Sequence, residues 1–257
     1  MRFFRFSSPA SFYPLAGPIG TVSAVIALAL AVVGLYIGFF VAPTDYQQGE
    51  SYRIIFIHVP AAWMAMFIYV VIAFWSVFSL ALNARLPSMM AQALAPTGAL
   101  FAFIALWTGA FWGRPTWGTY WVWDARLTST LVLLFLYLGL IALRSGIDDP
   151  RRADRACALL ALVGVVNIPI IYFSVRWWNT LHQGATISMS AAPKMAQTML
   201  TAMLLMTFSA WAYAIATAFH RVRTVIIERE ALSDWVGQIV DPSMPGQPDT
   251  AHAERRP

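Results

Sequence analysis

Six apolar stretches, near residues 18–42, 54–82, 92–112, 128–143, 156–174 and 194–219, constrain this chain more than any other feature. A bilayer crossing needs about 20 apolar residues. The fourth stretch is short at its polar start, so Leu127 or earlier residues belong to it. No water reaches the hydrocarbon to satisfy an exposed backbone, so each crossing must be helical. The expected fold is therefore an all-α integral membrane protein, a bundle of six transmembrane helices. Composition agrees: 59% of residues are hydrophobic and 11% charged, with a mean hydropathy of +0.64. A soluble domain of about 25% charged residues covers itself far better than this one could.

The first stretch follows Arg2 and Arg5, as a signal peptide would, but its apolar core is longer than the usual 7–15 residues. It reads as a retained helix, with Phe3, Phe4, Phe6, Phe12 and Tyr13 at the interface. Gly34 and Gly38 have the small-residue spacing that lets a neighbouring helix approach closely. Alternate connecting segments hold ten basic residues and the others five, which by the positive-inside rule predicts both termini in the cytoplasm. The ten are Arg2, Arg5, Arg85, Arg144, Arg151, Arg152, Arg155, Arg221, Arg223 and Arg229. Residues 1–225 form the membrane domain, and the proline-rich residues 226–257 read as a disordered cytoplasmic tail.

A net charge of +5 comes from basic residues at span ends, where topology accounts for it, so no nucleic-acid partner is implied. Lys194 is the only lysine. No glycine-rich lysine loop can therefore cradle nucleotide phosphates, and ATP-driven work would fall to a partner. The single cysteine, Cys157, excludes disulfides and a Cys-x-x-Cys-His haem attachment site. It reads as a small buried helix residue. No nucleophile–base set and no carboxylate pair stands among the outer segments, so independent catalysis is not expected.

Between spans three and four runs Trp117-Gly118-Thr119-Tyr120-Trp121-Val122-Trp123-Asp124-Ala125-Arg126. It is too polar to cross and too aromatic for an ordinary solvated loop. An aromatic belt at the membrane surface accounts for scattered tryptophans such as Trp63, Trp75 and Trp211. It does not account for this density with Gly118 and Asp124 interleaved. Such rings can stack on a flat ligand and offer indole N–H groups to polar substituents. Arg53, Arg114, Arg126 and Arg176 are available for carboxylates, which guanidinium pairs bidentately. Asp124 can equally cap the fourth helix.

Two histidines join this outer side. His58 lies five residues beyond Arg53, about 7.5 Å of helix rise into span two. His182 lies in the loop Trp177-Trp178-Asn179-Thr180-Leu181-His182. An intramembrane histidine is a functional candidate by default, with an interhelical hydrogen bond as the plain alternative. On a helix Ala61, Ala62 and Ala65 share its face and leave room for something flat, and Pro60 predicts a kink. Two neutral imidazoles suit the axial positions of haem iron, with Met189 a substitute ligand. A structural zinc site would want four ligands.

These segments together resemble the tryptophan-rich WWD family of haem-handling proteins in cytochrome c biogenesis. Six spans and a single WWD loop, about 112–127, are similar to the C subunit of the cytochrome c maturation system (CcmC). Arg53-Ile-Ile-Phe-Ile-His58-Val-Pro-Ala-Ala-Trp63 and Asn179-Thr-Leu-His182-Gln match the family's two histidine motifs. The resemblance covers about 15–225. It implies a haem b bound transiently at the periplasmic face of the bacterial inner membrane, with His58 and His182 as axial ligands. Trp117, Gly118, Trp121, Trp123 and Asp124 would form the platform, and Arg53 and Arg126 would meet the propionates. It further implies presentation of haem to a membrane-anchored periplasmic chaperone, the E protein. The other implied partners are the ATPase and permease subunits of an ABC transporter and a small single-span subunit. Two other readings stand beside it. A haem exporter would need mid-membrane polar residues, of which Asn167, Thr198 and Thr201 are the few candidates. A b-type electron-transfer cytochrome would bury its haem between spans.

Overall fold

The structure, a computed structural model, describes residues 7–182 and 195–240. Among them the secondary structure is helical throughout, without strands, and six segments are long and apolar enough to span a membrane. The protein is a multi-pass membrane bundle.

Helix α1 (Pro9–Tyr36) begins nine residues before the apolar stretch it was expected to fill. Ser8 caps it by accepting from the Ser11 N–H at 3.3 Å, and Pro9 at the first helical position needs no partner for a missing N–H. Phe12 and Tyr13 are therefore helical and pack on Phe219 and Trp235. One π-helical turn (Ile37–Val41) ends the span. Helix α2 (Ile55–Leu82) follows a 3₁₀ turn, passes through Pro60, and stops at Asn83, whose left-handed φ of 48° breaks the ladder. Helix α3 (Arg85–Trp117) is longer at both ends than its apolar stretch.

Helix α4 (Ala125–Gly146) leads to span five, which is not one helix but two, α5 (Pro150–Gly164) and α6 (Asn167–Trp177). Pro169 has no N–H to offer the Val165 carbonyl, and the Ile168 N–H takes it at 3.0 Å in a tighter turn. Asn167 at the break donates from Nδ2 to the Ser129 carbonyl on α4 at 2.9 Å. One of the three polar residues considered for an exporter's path is thus holding two helices together. Helix α7 (Gln197–Arg229) is the last span, and α8 (Asp234–Val240) follows it. Residues 226–240, expected within the disordered tail, are largely helical, with Val236 buried and Trp235 on Tyr13; residues 241–257 lie outside those described.

Helices α2 and α3 form the centre, flanked by α4, α5 and α7, while α1 lies along α7. Of the most apolar stretch of α3, 61% is buried within the protein, against 17% for α1, whose outward Val22, Val25, Leu28 and Val32 need lipid to cover them. Glycines admit the close approaches between helices. A Cβ on Gly34 would stand 3.0 Å from Met206 Sδ, and one on Gly38 would overlap the Phe56 ring at 2.6 Å. At mid-bundle, Tyr69 and Tyr137 meet edge to face at 5.1 Å, both fully buried, and the Tyr137 hydroxyl donates to the Ala65 carbonyl at 2.7 Å. With Met64, Ile68 and Leu133 they fill the bundle's middle layer. Cys157 is half-buried on α5, its thiol directed at the Leu140 carbonyl.

Candidate functional site

One end of the bundle gathers the chemistry. Helix α2 brings His58 and α3 brings Thr108, Gly109 and Trp112 against it. The Thr108 hydroxyl donates to the Ile104 carbonyl at 2.6 Å, so its single proton is committed there. Toward His58 Nδ1, 3.0 Å away, Thr108 can then only accept. This fixes the proton on Nδ1 and leaves Nε2 with its lone pair, the arrangement a metal-binding histidine needs. Gly109 supplies the space: a Cβ there would stand 3.0 Å from His58 Cε1. Trp112 presses edge-on at 5.6 Å between ring centroids and is itself fixed by donating to Gln48 Oε1 at 2.7 Å.

His182, just past the end of α6, stands over His58. Their ring centroids are 6.3 Å apart, inclined at 33°. Trp117 flanks His182 at 6.2 Å. Both histidines, Trp117, Arg126, Ala62 and Gly109 border a cavity of about 70 Å³.

The aromatic segment is shorter as a loop than its sequence suggests, because α3 continues through Pro115 to Trp117. Gly118 then turns the chain with φ of 79°, its N–H closing on the Arg114 carbonyl at 3.1 Å. Arg114 binds the Gly118 carbonyl in return and lies over the Tyr120 ring at 5.7 Å. Trp121 and Trp123 pack edge to face at 5.4 Å, and Trp123 remains 77% exposed. Asp124 caps α4: its Oδ1 accepts from the Leu127 N–H at 2.8 Å. Its other oxygen, and the Trp121 indole N–H, are buried without a partner among the described residues. Each such orphan requires an explanation, and here a donor and an acceptor stand unsatisfied in one loop. The two capping and ligand roles weighed for Asp124 are therefore compatible, one oxygen serving each. Asp124→Asn keeps the cap, while Asp124→Ala should cost about 1 kcal/mol of stability, read as a lowered unfolding midpoint in detergent.

Not every residue singled out from the sequence reaches the cavity. Arg53 is held elsewhere: it pairs with Glu50 and donates to the Gly38 and Ala42 carbonyls at 2.6 and 3.1 Å, locking the end of α1 to α2. Ala61 and Ala65 are buried in the core, so of the three alanines on the His58 face only Ala62 borders this cavity. Arg176 is exposed, and Met189 lies outside the described residues. Arg126 does line the cavity and also donates to the Ile171 carbonyl at 3.1 Å, tying α4 to α6.

Comparison with known proteins decides the lineage. A family model described as "Heme exporter protein C" (CcmC) matches residues 2–237. The chain belongs to this family. The protein of that name from Escherichia coli (strain K12) is 45% identical over 236 residues, covering 90% of this chain and 94% of the relative. That from Bradyrhizobium diazoefficiens is 43% identical over 233 residues, 91% of this chain and 88% of the relative. A Marchantia polymorpha mitochondrial protein, described as ccmC-like and of cytochrome c biosynthesis, is 48% identical over 159 residues, 62% of this chain and 67% of its own.

For this CcmC-family chain, Thr108, Gly109 and Trp112 are the site residues that sequence reasoning passed over. They lie inside or at the edge of an apolar stretch, where a threonine, a glycine and a tryptophan are ordinary. Their signal was positional: a polar residue and a glycine side by side, little more than two turns before the aromatic segment.

Proposed function

We propose that this chain binds haem between His58, His182 and the aromatic loop, and presents it for c-type cytochrome maturation. The observation that carries this reading is the 6.3 Å separation of the two imidazoles. With metal–nitrogen bonds of about 2.0–2.1 Å, two imidazoles that shared one metal would have centroids within roughly 6 Å of each other. Among the described residues no group of three or more His, Cys, Asp or Glu comes together. A metal held by this pair must bring its other donors with it, as a porphyrin does. His58 and His182 would hold the iron, each through a ring nitrogen. The orphaned Trp121 N–H and the cavity-lining Arg126 suit carboxylates on the macrocycle, and Trp117 and Trp123 suit its faces and edges.

Size favours presentation over storage. Small-molecule sites commonly measure about 300–1,000 Å³, against about 70 Å³ here. Only part of the macrocycle can be enclosed, and the rest must lie against the exposed loop, open to an acceptor. A b-type electron-transfer cytochrome would enclose it. Passage of haem through this chain is disfavoured by the packed Tyr69–Tyr137 layer below the site.

In this proposal the site faces the periplasm, both termini are cytoplasmic, and the membrane is the bacterial inner membrane. The acceptor is a membrane-anchored periplasmic chaperone of the E type. ABC-transporter ATPase and permease subunits, with a small single-span subunit, complete the assembly and supply ATP hydrolysis. The haem is b-type and transient. The test is to purify the chain with its haem and follow the absorption spectrum as the acceptor is added. Transfer of the chromophore to the acceptor is expected, and a chromophore that stays on this chain and titrates with quinone would reinstate the cytochrome reading. Trp123→Ala should weaken haem retention roughly 2- to 12-fold, the equivalent of an aromatic contact of about 0.5–1.5 kcal/mol. Because that side chain is 77% exposed, the unfolding midpoint should not move.

A further inference from the structure

At the other end of the bundle lies a second, larger cavity, about 300 Å³, walled by α2, α3, α4, α5 and α7. It is separated from the histidine site by the tyrosine layer, and its chemistry is different. Among the described residues no histidine and no aromatic residue lines it. A flat macrocycle finds nothing there to stack on or to ligate its metal. Ile72, Leu140, Ile141 and Val225 instead offer aliphatic walls.

Its charges are unevenly matched. Asp154 is engaged in a two-point pair with Arg229, at 2.6 and 3.1 Å, and also accepts from Ser88 at 3.0 Å. Arg144, which lines the cavity, makes only longer contacts from one of its nitrogens, 3.3 Å to the same carboxylate and 3.3 Å to the Pro150 carbonyl. Arg221, at the exposed mouth, has no carboxylate among the described residues and only a 3.3 Å hydrogen bond to Thr97. The cavity thus holds two guanidinium groups with donor capacity to spare. It also holds two groups that can only accept. Gln92 Oε1 is buried without a partner, and the exposed Glu228 carboxylate has no ion pair or hydrogen bond among the described residues.

We propose that this cavity binds the headgroup of an aminophospholipid, one that joins a phosphate diester to a primary ammonium. Arg144 and Arg221 take the phosphate, for which charge-assisted hydrogen bonds are strong. The ammonium, with three donors and no acceptor, satisfies Gln92 Oε1 and Glu228. The aliphatic walls take the start of the acyl chains, and the remainder stays in the bilayer. Basic pockets between transmembrane helices are recognised lipid-headgroup sites. The added element here is the pair of acceptors, which selects for N–H. This assignment does not depend on the haem reading, since it uses none of the same residues.

The test is native mass spectrometry of the full chain in detergent, with phosphatidylethanolamine, phosphatidylcholine or phosphatidylglycerol added at equal concentration. Phosphatidylcholine has the same phosphate but no N–H, and phosphatidylglycerol has no ammonium. The expected result is about tenfold greater retention of phosphatidylethanolamine than of either, the scale of one charge-assisted hydrogen bond. Glu228→Gln should bring phosphatidylethanolamine down to the phosphatidylcholine level, and Arg221→Gln should lower retention of all three. Equal retention of the three lipids by the native chain would overturn the proposal. So would a Glu228→Gln variant that keeps the full preference, or displacement of the lipid by equimolar inorganic phosphate.

Discussion

Replacing His58 and His182 together by alanine is expected to abolish haem retention, and with it loading of the periplasmic acceptor, while the bundle stays folded. In the proposed site each imidazole would supply one bond to the metal, so either single variant should retain haem weakly and with the altered spectrum of a changed ligand set. The fold should tolerate the change at His58. The ring bonds the Thr108 hydroxyl, and that hydroxyl keeps its own bond to the Ile104 carbonyl when the ring is gone. A graded series sharpens the test. Thr108→Val leaves both ligands but removes the acceptor that holds the proton on Nδ1. Loss of such an orienting partner costs about 10- to 100-fold in metal affinity, so this variant should fall between the native chain and the single histidine variants. Absorption spectra of the purified proteins and covalent loading of the acceptor are the readouts. A double variant that kept the native spectrum and charged the acceptor normally would remove His58 and His182 as ligands.

Much of this arrangement was legible in the sequence, because the strongest signals were long-range in the chain and crude in chemistry. Six apolar stretches in a poorly charged chain leave helices as the only folded solution, and six spans are found. The misplaced boundaries have specific causes. Hydropathy registers where lipid begins, whereas Ser8, Pro9 and Gly118 register where hydrogen bonding begins and ends. Hence α1 starts early and α3 carries Trp117 out of the expected loop. The break between α5 and α6 was encoded in Asn167 and Pro169, yet it is decided by Ser129 on another helix, which no local pattern reveals. Arg53 illustrates the converse. Its position beside the His58 motif suggested a ligand for carboxylates, but the carbonyls of Gly38 and Ala42, freed by the end of α1, lie nearer and claim it. Pairing His58 with His182 required three-dimensional information, and chemistry alone supplied the suspicion.

The second large effect is expected far from either cavity. At Gly98 an added Cβ would lie 2.1 Å from Tyr137 Cε1 and 2.4 Å from its hydroxyl oxygen. At Gly164 one would lie 2.1 Å from the Tyr69 hydroxyl. Neither ring has room to retreat. Both are fully buried, they press on each other, and Tyr137 is tethered to the Ala65 carbonyl. Gly98→Ala should therefore cost about 1–3 kcal/mol through overpacking, more than the roughly 1 kcal/mol that alanine gains over glycine as a helix former. Gly164→Ala should do the same by displacing Tyr69. Thermal unfolding of the detergent-solubilised protein, followed by helical circular dichroism, measures this. Combining Gly98→Ala with Tyr137→Leu should be less harmful than the sum of the two, because shortening the ring relieves the overlap that the methyl creates. Strict additivity would mean that Tyr137 does not occupy the Gly98 notch. The middle of the bundle would then be looser than described, and the separation between the histidine site and the polar cavity, on which the case against passage through this chain rests, would fail with it.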